Sequence, residues 1–353
     1  MRIVFMGTPQ FAVESLKELI NSGNDICAIV TSPDKPAGRG LKLKESEVKQ
    51  FANSINIPVL QPVSLKDNNF IEQLKSFDAD IFVVVAFRML PETIWQIPPK
   101  GTINLHASLL PNYRGAAPIN WAIINGEKIT GVTTFFIEKE IDTGNILDFE
   151  EVEILEKDNA GNLHDKLMIT GAKLLTKTIN SIENSDVESI SQKQFIISEK
   201  TLKTAPKLSR EICKINWNND VKTIYNHIRG LSPYPTSWTI FENKLTKKNI
   251  IIKIYSAEII EGEHKSEIGT IISDKKNHLY ISAINGLISI MEIQPEGRKK
   301  MNIKDFLIGF REIENWKVKS YCSKKFRVHS HTIVKHGHNL SFNCYSIFKI
   351  TKI

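Results

Sequence analysis

In the first half of the chain, short apolar runs alternate with segments whose apolar positions recur every three or four residues. RIVFMG (2–7), DICAIVTS (25–32) and ADIFVVVAF (79–87) read as strands, and the last is apolar on both faces, as in the middle of a covered sheet. Between them, FAVESLKELINSG and NNFIEQLKSF carry the helical period. GTINLHAS and ITGVTTFFIEK read as further strands, and NLHDKLMITGAKLLTKTI as a long amphipathic helix. This alternation predicts an α/β fold: an open, doubly wound, mainly parallel Rossmann-like sheet. Such sheets bind ligands beyond the carboxyl ends of their strands, where Gly7, Arg88, Ser108 and Asp142 would fall.

The pattern changes beyond residue 180. Residues 181–206 lose periodicity and gain Ser, Asn and charge, as a linker or surface crossing does. From Ile215 onward a single helix, DVKTIYNHIRGL, precedes five short β-type runs from SWTIFE to LISIMEIQ, which predicts a small OB-like antiparallel barrel over 207–316. Residues 317–353 show no clear periodicity and are expected to be a poorly ordered basic extension. The 353 residues thus divide into a domain over 1–180, a linker, a barrel and a tail.

No apolar run reaches the roughly 18 residues of a membrane span, and MRIVFMG is too short for a signal peptide's apolar region. A cytoplasmic monomer with no membrane partner is expected. Cys27, Cys213, Cys322 and Cys344 are too scattered for a disulfide framework, so reduced thiols are expected. The net charge of +7 is unevenly spread. Residues 1–206 carry 21 Lys and Arg against 26 acids, residues 207–314 carry 17 against 13, and residues 315–353 carry 8 against none. A basic excess confined to the C-terminal part suits a polyanionic partner there, although a surface charged only for solubility would read the same.

The turn after the first strand, MGTPQFA, lacks the G-x-G-x-x-G spacing of a dinucleotide fold. Chemistry concentrates instead in INLHASLLPNYRGAAPINW (103–121). Residues two apart in a strand share a face, so Asn104 and His106 point to one side and Ile103, Leu105 and Ala107 to the other. Satisfied polar groups in a core would show the same pattern. In IEKEIDTGNIL (137–147), Asp142 follows a strand and precedes a Thr-Gly turn. An amide to hold an oxyanion, an imidazole for proton traffic and a carboxylate to support it form a trio suited to acyl transfer. No Ser or Cys occupies a nucleophile elbow, which points to direct attack by the substrate's own amine.

These stretches, with FMGTPQFA, SPDKPAGRG, APKLSR, IRGLSPYPTSW and EIQPEGRKKM in the same order to about residue 316, resemble the methionyl-tRNA formyltransferase family of folate-dependent formyltransferases. The resemblance implies transfer of the formyl group of 10-formyltetrahydrofolate, a co-substrate, to the α-amine of methionyl initiator tRNA, with no metal. It makes Asn104, His106 and Asp142 catalytic, with Asp142 orienting His106, and puts Ser108, Leu109, Leu110 and Pro111 along the folate site. Free α-amines titrate near ~7.7–8.0, so a modest base suffices. For the tRNA, the resemblance points to Lys35, Arg39, Lys42 and Lys44 in the loop SPDKPAGRGLKLKE, and to Lys207, Arg210, Arg298, Lys299 and Lys300 on the barrel; Arg39 is the foremost of these. Contacts of this kind position the RNA and do not read its sequence.

Two residues depart from the family pattern. Arg88 and Glu140 stand where glycine is usual, and either would cost roughly 1–2 kcal/mol if its backbone had to be left-handed. In the tail, Cys322, His329, His331, His336, His338 and Cys344 are metal-ligating types without a standard zinc spacing, and no metal site is expected. The rival readings are a formyltransferase acting on another amine, of a nucleotide or an amino sugar, and a noncatalytic RNA-binding relative.

Overall fold

Seven strands lie side by side in the order Ile146–Glu153, Ile129–Phe136, Thr102–His106, Ile81–Val85, Arg2–Gly7, Asp25–Val30 and Val59–Leu60. The structure, a computed structural model, describes residues 1–37, 42–196 and 201–319. Arg39, the Lys42 side chain and the six candidate ligands of the tail lie outside the described residues. The five strands from Thr102–His106 to Val59–Leu60 run parallel; Ile129–Phe136 runs against them, and Ile146–Glu153 pairs antiparallel with Ile129–Phe136.

Period-two alternation sorts the strand side chains into two cores. Ile3, Phe5, Ile81, Val83, Val85, Ile103 and Leu105 pack on one face, and Val4, Met6, Phe82 and Val84 on the other. From Arg2–Gly7 the chain steps outward through Asp25–Val30 and Val59–Leu60, then returns to lay Ile81–Val85 on the opposite side. The loops after Gly7 and Val85 therefore diverge, and a crevice opens at the carboxyl ends of the strands. The helix Ala160–Glu183, capped by reciprocal Asn159 and Asn162 bonds, covers one face beside the helix Gln10–Asn21.

The second sheet runs Ile271–Ser273, Leu279–Ala283, Gly286–Pro295, Asn249–Glu261, Ser237–Asn243 and Trp316–Val318. A bridge between Thr270 and Lys317 brings its two edges together, so the sheet is nearly closed. Register shifts around Ser256 let the 13-residue strand Asn249–Glu261 bend and serve both sides of the barrel. The closing strand includes Lys317 and Val318, two residues past the barrel limit expected from the pattern, because Val318 fills the barrel core at its seam.

The segment 181–206 is more than a surface crossing. The helix continues to Glu183, Ile190 pairs with Ile146, and Gln192 and Ala205 are buried. Most of its described polar side chains are exposed, as the composition suggests, but Gln192 is turned inward and ties down the turn 142–144.

The helix Val221–Gly230 docks the barrel on the first domain. Asn120 Nδ2 donates to Gly230 O at 2.7 Å, and Arg229 Nη1 donates to Asp158 O at 2.7 Å. In this helix His227 is paired through Nε2 with Ile212 O at 2.7 Å, while its buried Nδ1 has no partner. Burial lowers the His227 pKa below the ordinary imidazole value. The unfolded chain then binds the extra proton more readily, so stability from this group is present above about pH 6.5 and is lost as pH falls below it. We expect the midpoint of thermal unfolding to fall from pH 7 to pH 5, and His227→Gln to flatten that fall. An unchanged slope in the variant would show that other groups carry it.

Candidate active site

The strand Thr102–His106 ends in the crevice and delivers Asn104 and His106 to its floor. The cavity measures about 860 Å³, within the range of small-molecule sites. Its walls come from Pro9 and Phe11 after the first strand, Ala86–Leu90 after Ile81–Val85, Gly115–Asn120, Ile137–Asp142, His164, and Tyr234 of the barrel.

His106 is only 7% exposed, and its Nε2 lies 2.9 Å from the backbone oxygen of Tyr113. A carbonyl only accepts, so Nε2 carries a proton in both charge states and Nδ1 is the nitrogen that exchanges one. Nδ1 lies 3.9 Å from Asp142 Oδ2, an electrostatic contact too long for a hydrogen bond. The Tyr113 carbonyl, rather than Asp142, therefore orients the ring. Asp142 Oδ2 instead accepts the Gly115 N–H at 2.9 Å.

Tyr113 holds its carbonyl in place through an unusual conformation, φ 61°, and a buried phenol. The phenol donates to Glu127 at 2.5 Å and accepts from Asn125 Nδ2 at 3.2 Å. Burial first, and the Glu127 carboxylate second, raise its pKa, so it stays a donor at any physiological pH. Gly115, φ 122°, has no room for a side chain: a Cβ there would meet Ala205 O at 2.6 Å.

Ser108, Leu109, Leu110 and Pro111 do not line the cavity. Ser108 is fully buried; its hydroxyl donates to Asn112 O at 2.7 Å, and its carbonyl accepts from Thr133 Oγ1 at 2.7 Å. Leu110 N donates to the same Thr133 hydroxyl, and the Leu110 side chain packs on Phe135 and Ile146. This turn braces the loop behind the site, because its polar groups are consumed internally.

Neither Arg88 nor Glu140 has a positive φ, so the strain expected of them is absent. The left-handed residues are their neighbours Ala86, φ 48°, and Asp142, φ 54°. Arg88 donates to Pro62 O and, at 3.0 Å, to Val63 O, stapling the cavity wall to the next loop. Burial lowers its pKa. Glu140 sits exposed at the rim.

Of the basic residues, Lys35 and Lys44 face each other across a small hairpin, and Lys44 pairs with Glu47 at 2.9 Å. Lys207, Arg210, Arg298, Lys299 and Lys300 are exposed on the barrel side of the molecule. Arg210 stacks 5.3 Å over Trp238, and Lys300 pairs with Glu292 at 3.1 Å. Exposed pairs of this kind are worth ~0–1 kcal/mol, so these cations exchange partners readily. The sequence pattern missed Gln192, Tyr113 and Tyr234. Tyr234, 83% exposed between two prolines, had a signal: a bare aromatic on a proline-framed turn.

This architecture is that of a one-carbon transferase with an appended barrel. Residues 1–179 match the formyl transferase family and residues 207–311 match its C-terminal domain, and the chain belongs to the formyltransferase family. The methionyl-tRNA formyltransferase of Bacteroides thetaiotaomicron is 46% identical over 318 residues, 90% of this chain and 98% of that one. That of Azobacteroides pseudotrichonymphae is 50% identical over 87% of this chain and 95% of its own. Among solved structures, an N-formyltransferase from Helicobacter canadensis with folinic acid and dTDP-3-aminofucose covers 85% of this chain and 99% of its own, at 21% identity and TM-score 0.59. At that identity the likeness concerns the fold.

Proposed function

We propose that the protein transfers the formyl group of 10-formyltetrahydrofolate to the α-amine of methionyl initiator tRNA, as a cytoplasmic monomer. The observation that carries this is the convergence of Asn104, His106 and Asp142 at a cavity to which the barrel adds Tyr234, in a chain nearly half identical to methionyl-tRNA formyltransferases along almost their whole length. The cavity also suits the folate. Phe87, Leu90, Ile137 and Phe135 supply apolar wall for flat rings, while Asn104 and Asp142 supply convergent polar groups.

The folate brings an activated formyl carbon. Around it, the Asn104 carboxamide donates to the oxyanion that develops as the neutral amine attacks. His106 Nδ1 accepts the proton that the amine sheds, and the resulting imidazolium, 3.9 Å from the Asp142 carboxylate, further balances the oxyanion before the proton passes to the leaving nitrogen. Ser108 to Pro111 shape the folate side from behind. The loop 32–45, with Arg39 foremost, and the basic residues of the barrel bind the tRNA backbone.

In this reading the exposed ring of Tyr234, at the cavity wall, stacks on a base of the acceptor's single-stranded end, where stacking is worth ~1–3 kcal/mol per base. We expect Tyr234→Ala to raise the KM for methionyl-tRNA about 5- to 100-fold with the folate KM unchanged, and Tyr234→Trp to preserve both. An equal rise in both constants would remove the ring from acceptor binding. The function itself is tested by offering the purified protein 10-formyltetrahydrofolate with initiator methionyl-tRNA, elongator methionyl-tRNA, an amino-sugar nucleotide or a ribonucleotide amine. Initiator tRNA should be formylated by far the fastest; formylation of a small amine in preference to tRNA would transfer the protein to another branch of the family.

A further inference from the structure

Asp142 keeps a left-handed backbone, φ 54°, beside His106, and such a conformation persists only where the surroundings hold it. The holding group comes from the segment that joins the two domains. Gln192 is 2% exposed, and its side-chain amide uses both of its ends. Nε2 donates to Asp142 O at 2.9 Å and to Gly144 O at 2.8 Å. Oε1 accepts from Arg114 Nε at 3.1 Å and from Arg114 Nη2 at 2.6 Å.

These bonds close a ring. Arg114 precedes Gly115, whose N–H donates to Asp142 Oδ2, and follows Tyr113, whose carbonyl holds His106. The loop that orients His106 and the turn that carries Asp142 are thus joined twice, once by the carboxylate itself and once by Gln192. Only a carboxamide of this length accepts a guanidinium at one end and donates to two carbonyls at the other. Glu would turn an oxygen on those carbonyls, and Met would leave them and the guanidinium unpaired. Paired bonds between Ile190 and Ile146, each 2.8 Å, dock the segment and set the reach of the side chain. Gln192 does not itself line the cavity.

We infer that Gln192 is a positioning residue for formyl transfer, acting through Asp142 by fixing the turn 142–144 against the loop 113–115. The inference rests on the formyl-transfer reading above. Because its action passes through Asp142, its loss should cost turnover more than affinity, and it should cost nothing once Asp142 is gone.

The test measures steady-state formylation of initiator methionyl-tRNA from 10-formyltetrahydrofolate by wild type, Gln192→Met, Gln192→Asn, Asp142→Ala and the corresponding double variants. Thermal unfolding of each is followed in parallel. We expect Gln192→Met to lower kcat about 10- to 100-fold with less than threefold change in the folate KM, Gln192→Asn to fall between it and wild type, and either change to add under twofold in the Asp142→Ala background. If Gln192→Met does not fold, the milder Gln192→Asn completes the same cycle. A folded variant with wild-type kcat, or losses that multiply in the double variants, would overturn the positioning role and leave Gln192 a packing residue. Inactivity of the wild-type protein would instead reject the formyl-transfer reading, so the two failures are distinguishable.

Discussion

His106→Ala should leave the fold intact and lower formyl transfer by about a hundredfold or more, the scale of a lost acid–base group. The side chain is nearly buried, but it ends a strand whose core contacts come from Ile103 and Leu105 on the opposite face. Removing the ring strands one acceptor, the Tyr113 carbonyl, which water entering from the cavity can satisfy. The expected signature is therefore a collapse of kcat with small changes in either KM and in the unfolding midpoint. Asn104→Ala should match it in scale for a different reason, loss of an oxyanion donor worth ~10²–10³ in kcat. The two should differ in rescue. Added imidazole entering the vacated His106 site supplies a proton acceptor and should restore part of the activity of His106→Ala, whereas nothing comparable restores the oriented amide of Asn104. Near-normal turnover in either folded variant would remove that residue from the chemistry.

Period and strand-end logic made much of this site legible. The alternation of Asn104 and His106 with Ile103 and Leu105 is a two-residue period, and the structure divides those side chains between the two faces of the sheet. The doubly wound order followed from the strand and helix alternation, and the crevice from the order in turn. What pattern does not reveal is which polar atom reaches which. His106 and Asp142 form an attractive pair on paper, yet the bond at ring Nε2 goes to a main-chain oxygen, and any residue type supplies one. Gln192 sits in a stretch whose composition reads as solvated linker, and only the fold, by pairing Ile190 with Ile146, turns it inward. Arg88 and Glu140 misled in the other direction. Family habit put glycine there, but the left-handed positions are Ala86 and Asp142, two residues before Arg88 and two after Glu140.

Gly144→Ala should be as damaging as loss of a catalytic group although Gly144 carries no functional side chain. A Cβ at this position would lie 1.7 Å from the carbonyl oxygen of Phe136 and 2.9 Å from its carbonyl carbon. The obstacle is backbone, so no rotamer change relieves it, and the turn must move by more than an ångström. Two things move with it. The Gly144 carbonyl accepts from Gln192 at 2.8 Å, and Asp142, two residues earlier, holds its carboxylate 3.9 Å from His106 Nδ1. Misplacement of about 1 Å in such a constellation costs on the order of 10² in rate. Overpacking adds ~1–3 kcal/mol of destabilisation, which for a domain of this size lowers the unfolding midpoint by roughly 2–12 °C. Gly23→Ala is the control. Its φ is 85°, nothing lies within 4 Å of the added Cβ, and it caps a helix distant in sequence from the turn, so it should cost ~1–2 kcal/mol of stability and no turnover. The pair is read by kcat beside thermal unfolding. A hundredfold loss in Gly144→Ala alone ties the turn to the chemistry, and activity within threefold of wild type in the folded variant would show that the turn shifts without carrying Asp142 with it.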